Sequence, residues 1–195
     1  MQFGQIMGRE STLMLHHKAM IVLICAMAYV GAFQLNQILF SDLLFTDRVH
    51  WVYLPSGLRL LLVLLFFELG ALGIFLASWF ISYYYFSQND PLFVGVLSLI
   101  SAGVPLVVRA IAVRWFGLNV NLKGLTTQII LKMSIALSVL SAGGIQLWFF
   151  VNGKTTDVVS AFAVMAVGKF LGTALVLWVF SFLVNGWRIR LINKG

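Results

Sequence analysis

The sequence predicts an all-α membrane protein, a bundle of about six transmembrane helices with both termini on the cytoplasmic side. Of its 195 residues, 61% are apolar and only 10% are charged, whereas about a quarter of the residues in a soluble domain are charged. The mean hydropathy is +0.99. A chain of this length is also too short to enclose several long apolar runs in a water-soluble core. We therefore interpret these runs as helices that cross a lipid bilayer.

The chain divides into three parts. Residues 1–18 are a mixed polar segment that we place in the cytoplasm or along the lipid headgroups, residues 19–185 are the helix bundle, and residues 186–195 are a basic cytoplasmic tail. The six predicted spans are residues 19–40, 55–69, 70–86, 92–113, 128–150 and 158–185. The first span has a full crossing length of about 20 residues, unlike a short signal-peptide core, so we expect it to stay in the mature protein.

The second and third spans are predicted to form a hairpin. Trp51 and Tyr53 suit the membrane interface, and Pro55 fits the first turn of a helix, where its missing N–H costs little. A single helix over the whole apolar stretch would be roughly 50 Å long, which is too long for a hydrocarbon core of about 30 Å. We therefore predict a turn at Gly70 and Gly73, because glycine permits a reversal of the chain.

The distribution of charge orients the bundle. The termini, the loop after the fourth span and the neighbouring helix ends carry most of the basic residues, namely Arg9, Lys18, Arg109, Arg114, Lys123, Lys132, Arg188, Arg190 and Lys194. The opposite loops carry only Arg48 and Lys154. By the positive-inside rule, both termini are cytoplasmic. Within the fourth span, Pro105 removes one backbone hydrogen bond and is predicted to kink the helix.

Ionisable side chains at membrane depth are costly, and each is therefore a candidate for ligand binding or signalling. Arg59 is placed one turn below the outer interface, where we favour a side chain that extends to the headgroups or to water over a ligand or anion site. Glu68 follows nine residues later, half a turn round the helix and about 13 Å lower, so these two residues cannot pair on one helix face. Arg109 and Gln146 are further candidates.

Lys169 is the most informative of these residues because it stands near the bilayer midplane, eleven residues into the last span. One interpretation is a side chain that points into the bundle and bonds a carbonyl group or a carboxylate such as Glu68. The other is a charge that lines a cavity for a substrate, a proton or a ligand, and the sequence leaves both open. Gly168 and Gly172 flank Lys169 at a spacing that permits close helix contact.

No motif in the sequence indicates catalysis. There is no serine elbow, paired-carboxylate site, phosphate-binding glycine loop or zinc signature, and no histidine stands at membrane depth to hold a haem. We therefore expect a protein that is not an enzyme and that binds neither a metal nor a cofactor. Cys25, the single cysteine, is predicted to be a buried free thiol, and Gly143 and Gly144 are interpreted as helix-packing positions.

One stretch of the chain resembles a known family. Trp51 is followed by Pro55-Ser56-Gly57-Leu58, by a leucine-rich run and then by Gly73-Ile74-Phe75-Leu76-Ala77. This pattern is similar to the signature hairpin of the bacterial membrane-associated sensor domains of the MASE type, and the similarity covers roughly residues 50–150. Such domains are usually joined to a cytoplasmic histidine kinase or diguanylate cyclase. None follows Gly195, so the resemblance implies an output that comes from a separate protein or is absent.

Together these features predict a multi-pass protein of the bacterial inner membrane. It would sense a small ligand or the state of the membrane through Arg59, Glu68 and Lys169, and signal to a partner protein in the membrane or at the cytoplasmic face. Two alternatives stay open, an accessory or assembly subunit of a larger membrane complex and a small transporter or channel component. The expected partners are the lipid bilayer and a protein, and a homo-oligomer is also compatible. Nucleic acid is not expected, because the basic residues are scattered at helix ends.

Overall fold

A computed structural model describes the backbone of residues 2–42, 44–46, 49–85, 90–119 and 126–192, and the side chains of residues 14–42, 51–84, 90–119 and 126–180. This part of the chain contains five helices, α1 (Gln2–Phe40), α2 (Pro55–Tyr85), α3 (Pro91–Trp115), α4 (Thr127–Val151) and α5 (Val158–Ile192). Each helix contains a segment long and apolar enough to cross a membrane. The described chain therefore has the architecture of a multi-pass helical membrane protein.

A short β-hairpin joins α1 to α2. Strand β1 (Leu44–Thr46) pairs antiparallel with strand β2 (Val49–His50), and Leu44 stands opposite His50. Strand β2 lies against α5. From the sequence we expected an irregular loop at this connection. Strand pairing provides partners for some of its backbone N–H and C=O groups, which need hydrogen bonds wherever water is excluded.

Helix α2 is the centre of the bundle and packs against each of the other four helices. The face of α1 that meets it includes Cys25, Tyr29, Phe33 and Asn36, which recur every three or four residues and so lie on one side of the helix. All four side chains are buried, and Cys25 is a free thiol, as predicted. The polar Asn36 is thus held inside an otherwise apolar and aromatic contact.

Helix α2 reverses direction at Phe67. This residue has φ 49° and ψ −116°, outside the helical region. A side-chain atom built on Gly70 would overlap the carbonyl group of Leu62, although these residues are about 12 Å apart in a straight helix. The helix is therefore a hairpin with a first arm of residues 55–66 and a second arm of residues 68–85. The first arm is only about 18 Å long, too short to cross a hydrocarbon core of about 30 Å.

Local capping defines where α3 and α4 begin. The Asp90 side chain accepts a hydrogen bond from the Leu92 N–H at 2.9 Å, and Thr126 caps α4 in the same way. Such caps satisfy backbone donors that have no partner within the helix. Pro105, where we predicted a kink, is buried within α3, and the chain continues through it as one helix.

Helices α3, α4 and α5 pack side by side, with α3 and α4 antiparallel. The rings of Phe93, near the start of α3, and Phe149, near the end of α4, stack with their centroids 6.0 Å apart. Gly143 of α4 lies at an ordinary packing distance from a side chain of α5, and Gly144 lies closer to a side chain of α3. These two glycines thus face neighbouring helices.

The described residues form five helices, so the six predicted spans are not confirmed. The second and third predicted spans are joined in one element, Pro55–Tyr85. The reversal that we expected within this stretch occurs at Phe67, three residues before Gly70 and six before Gly73, so the predicted position of the turn is wrong. Gly70 has a different use, since its missing side chain lets the two arms approach each other.

The outer helices are longer than predicted. Helix α1 begins at Gln2, so most of the polar segment 1–18 continues the first helix. Helix α5 runs to Ile192, past the predicted end of the span at residue 185 and into the basic tail. Polar residues at the ends of a span do not by themselves stop a helix, and α5 continues even through Asn185 and Gly186, a pair that often ends one.

We predict that Gly70→Ala destabilises the protein, because the new methyl group would overlap the Leu62 carbonyl group between the two arms. Forced overpacking of this kind costs about 1–3 kcal/mol. The matched control is Gly31→Ala in α1, where no atom lies within 4 Å of the new methyl group and the change should be neutral or stabilising. Thermal unfolding of both variants in detergent measures the difference. A Gly70→Ala protein as stable as Gly31→Ala would contradict the reversal of α2.

Candidate functional site

The candidate site lies where the chain enters the middle of the bundle, just before α2. The N–H of Tyr53 donates to the carbonyl oxygen of Gly168 at 3.0 Å, and the N–H of Leu54 donates to Oδ1 of Asn36 at 2.8 Å. Gly168 lies about 15 Å along α5 from Val158, the first residue of that helix. The first arm of α2 therefore begins inside the bundle, about 15 Å from the start of α5 and about 6 Å from the end of α1 at Phe40.

Glycines make this close approach possible. A side-chain atom on Gly172 would overlap the backbone carbonyl group of Tyr53, and one on Gly57 would lie 2.7 Å from Cβ of Val176. Gly168 contributes the carbonyl oxygen that Tyr53 bonds. Gly168 and Gly172 are thus at a close contact. What they contact is the segment leading into α2 and its first turn, not a second long helix.

The first arm of α2 carries Arg59 into the interior. The Arg59 side chain is only 1% exposed, and its Cζ lies 5.8 Å from the ring centroid of Tyr29 and 5.5 Å from that of Tyr53. A guanidinium at these distances is attracted to the faces of the rings. The expectation that Arg59 extends to the headgroups or to water is therefore wrong. Its depth was misjudged because the arm that carries it begins inside the bundle.

Lys169 points into the bundle, as one of our two interpretations required. Its side chain is 3% exposed, and Nζ donates to the hydroxyl oxygen of Ser141 in α4 at 2.8 Å. The partner is thus a hydroxyl and not the carbonyl group or carboxylate that we expected. Thr173 donates to the Lys169 carbonyl oxygen at 2.7 Å and so keeps its own hydroxyl within α5. Arg59 and Lys169 are both next to Tyr53, whose ring faces the Arg59 guanidinium and whose N–H bonds Gly168, the residue before Lys169.

No carboxylate accompanies these two cations among the described side chains. Glu68, the partner considered for Lys169, is exposed beside the break in α2. The other acidic side chains within the described ranges are exposed as well, namely Asp42, Asp90 and Asp157. Glu10 and Asp47 lie outside those ranges. Because an uncompensated charge in a low-dielectric interior is strongly unfavourable, the interior of this bundle is electrostatically suited to a negatively charged group.

The other predicted candidates lie outside this cluster. Arg109 of α3 lies at the tip of the α2 hairpin, with its Cζ 4.1 Å from the ring centroid of Phe67. Gln146 of α4 is buried and donates from Nε2 to the sulfur of Met165 in α5 at 3.9 Å. The structure therefore brings Arg59 and Lys169 together and separates both from Glu68.

Sequence reasoning missed four residues of the cluster, Tyr29, Asn36, Ser56 and Ser141. Tyr29 and Asn36 are seven residues apart and share one face of α1, so their periodicity was a usable signal. Ser56 stands in the first turn of α2 and was read only as part of a family pattern. Ser141 gave no usable signal, because it lies 28 residues from Lys169 on another helix.

Comparison with known proteins finds no relative of this chain. A scan against protein-family models gives no match. Searches of curated proteins and of solved structures give no match either. The function must therefore be inferred from the residues of the chain itself.

We predict that Ser141→Ala destabilises the protein by about 1–3 kcal/mol, because it leaves the Lys169 ammonium buried without its acceptor. The same change in a Lys169→Met background should cost much less, since the donor is gone. A double-mutant cycle on the free energy of unfolding in detergent measures this coupling. Ser138→Ala is the matched control, because its hydroxyl bonds its own helix at the Ser134 carbonyl group. Equal costs of Ser141→Ala in both backgrounds would exclude the coupling.

Proposed function

We propose that this chain is a sensory module of the bacterial inner membrane. Helices α1, α3, α4 and α5 cross the bilayer, the two arms of α2 enter and leave it, and both termini lie in the cytoplasm. The module is not an enzyme and acts through a separate protein. A ligand held inside the bundle shifts the first arm of α2, and the partner detects that shift at the cytoplasmic face.

The observation that carries this proposal is the path of α2, which connects the buried Arg59 to one end of the bundle. Its first arm bears Arg59, in the interior, and ends at Phe67, where the Arg109 guanidinium lies over the ring at 4.1 Å. A packed helix of about 18 Å shifts as a unit and does not deform continuously. A change at Arg59 would thus reach Phe67 and the exposed Glu68 beside it.

Charge supports the proposed orientation. The tip of the α2 hairpin has no lysine or arginine of its own, but Arg109 of α3 lies against it. The connection from α3 to α4 leaves the same end of the bundle, between Arg114 and Lys132. The positive-inside rule assigns such an end to the cytoplasm. Glu68 would then be accessible to a cytoplasmic partner.

The path of α2 is also compatible with the resemblance to MASE-type sensor domains. The residues that carry that resemblance run from Trp51 to Ala77. They comprise the segment that enters the bundle, the first arm and the reversal at Phe67. In that family a kinase or cyclase receives the signal, and we propose that a partner protein fills this role here.

A second candidate function, a small transporter or channel component, is favoured by the same short arm. Many transporters build substrate sites from interrupted helices whose ends lie near the bilayer midplane. The buried hydroxyls do not mark a path, since four of them donate to carbonyl groups within their own helices, namely Ser98, Ser134, Ser138 and Thr173. Anion flux into proteoliposomes that disappears in Lys169→Met would favour transport over sensing.

We predict that Lys169→Met reproduces the effect of deleting the gene, because it removes the buried cation and keeps a side chain of similar length. The measurement is the transcript profile of a deletion strain of the source cell that expresses the wild-type protein or a variant. Lys154→Met, at an exposed lysine, is the matched control and should restore the wild-type profile. Immunoblots of the membrane fraction establish equal abundance. Full restoration by an inserted Lys169→Met protein would remove Lys169 from the mechanism.

A further inference from the structure

We infer that the bundle interior around Arg59 is a binding site for an oxyanion, that is, for a carboxylate or phosphate group. This inference rests on the proposed sensory function and names the chemical class of its ligand. It is carried by the unpaired polar atoms around Arg59, by their position and by their charge.

Four buried hydrogen-bonding atoms in this region have no partner among the described residues. They are Nε and Nη1 of Arg59, Nδ2 of Asn36 and Oγ of Ser56. The three residues are at most 1% exposed. Three of the atoms can only donate, and the serine hydroxyl can donate as well. Because buried donors in native proteins are almost always paired, this group of atoms requires an acceptor.

These atoms belong to one neighbourhood. Asn36 accepts the N–H of Leu54 at 2.8 Å, two residues before Ser56. Ser56 and Arg59 are three residues apart in a helix and are therefore neighbours on its surface. The guanidinium carbon of Arg59 lies 5.8 Å from the ring centroid of Tyr29, which shares a face of α1 with Asn36. The three side chains therefore lie in one region of the interior, between α1 and the first arm of α2.

The charge of the site selects an anion among possible acceptors. An arginine stays protonated in proteins, so Arg59 places a positive charge in the interior of the bundle. All the carboxylates within the described ranges are exposed. Water or a neutral amide would satisfy the hydrogen bonds but would leave the charge uncompensated. A carboxylate or phosphate group satisfies both requirements, and charge-assisted hydrogen bonds to such groups are the strong ones.

Side chains, and not the backbone of the first arm, would hold the oxyanion. The N–H of Ser56 already donates to the Tyr53 carbonyl oxygen at 3.2 Å, and the N–H of Gly57 donates to that of Leu54 at 3.1 Å. The start of the arm still presents the positive end of its dipole to the site, which favours a negative charge there. Arg59 is thus the principal ligand-binding residue, and Asn36 and Ser56 complete the site.

The test measures oxyanion binding to the purified full chain in dodecyl maltoside after co-purified lipid has been removed. Inorganic phosphate, acetate and phosphatidylglycerol are each titrated at constant ionic strength against thermal unfolding, with sodium chloride and phosphatidylcholine as control additions. We expect at least one of the three probes to raise the melting temperature by several degrees more than either control addition does. Stabilisation by phosphatidylglycerol alone assigns the oxyanion to a lipid headgroup, and stabilisation by phosphate or acetate assigns it to a soluble ligand. If no probe raises the melting temperature more than sodium chloride or phosphatidylcholine does, the inference is overturned.

Three variants test whether the probe binds at Arg59 and Ser56. Arg59→Gln should weaken the affinity for the effective probe by about tenfold or more, and without probe it should melt no lower than the wild-type protein. Ser56→Ala, which removes an unpaired hydroxyl, should fold normally and bind more weakly, and it decides the question if Arg59→Gln does not fold. Arg114→Gln, at an exposed arginine, is the matched control and should keep the wild-type shift. A wild-type shift in both Arg59→Gln and Ser56→Ala overturns the site.

The two experiments distinguish an error in the proposed ligand class from an error in the proposed sensory function. If no probe binds while Lys169→Met still gives the transcript profile of the deletion strain, the proposed oxyanion ligand is wrong and the proposed sensory function is retained. If an oxyanion binds at Arg59 while Lys169→Met restores the wild-type transcript profile, the site stands and the proposed function is wrong.

Discussion

The contact between the segment that precedes α2 and the glycine face of α5 determines the rest of the bundle. Non-helical backbone at membrane depth is tolerated only where its polar groups are satisfied within the protein or face a water-filled cavity. Here the Gly168 carbonyl oxygen and the Asn36 side chain accept two N–H groups of this segment. Gly172 has no side chain to hold the segment away. Because the first arm begins at that contact, Arg59 is in the interior.

Because the first arm of α2 begins inside the bundle, only a short helix fits before the chain reaches the end of the bundle and must reverse direction. The reversal falls on Phe67, whose positive φ of 49° is unfavourable for a residue with a side chain and costs about 1–3 kcal/mol. Two contacts offset this strain. The Arg109 guanidinium lies over the Phe67 ring, and Gly70 lets the second arm pack directly on the backbone of Leu62. Gly70 thus allows the two arms to pack together, whereas the turn at Phe67 is stabilised by the contacts around it.

Local sequence patterns predicted much of this fold. Contacts between segments that are far apart in the chain could not be predicted from such patterns. The ends of α3 and α4 were predicted within two residues, because the length of an apolar run and caps such as Asp90 are local properties. Lys169 could be placed in the interior because its depth follows from its position in an uninterrupted span. The depth of Arg59 could not be predicted, since it depends on Gly168 and Gly172 near the other end of the chain. The position of the turn was missed for the same reason.

The first arm cannot take its final position until α5 has been synthesised, because its contact is with Gly168. This arm leaves the ribosome long before α5 exists, and at about 5–20 residues per second the interval is on the order of 10 s. During that time the carbonyl group of Gly168 is not yet available to it, and a short helix bearing Arg59 has no stable place among acyl chains. We therefore expect the insertion machinery or the headgroup layer to retain this segment until α5 arrives, so that Arg59 enters the interior of the bundle only after α5 has been inserted.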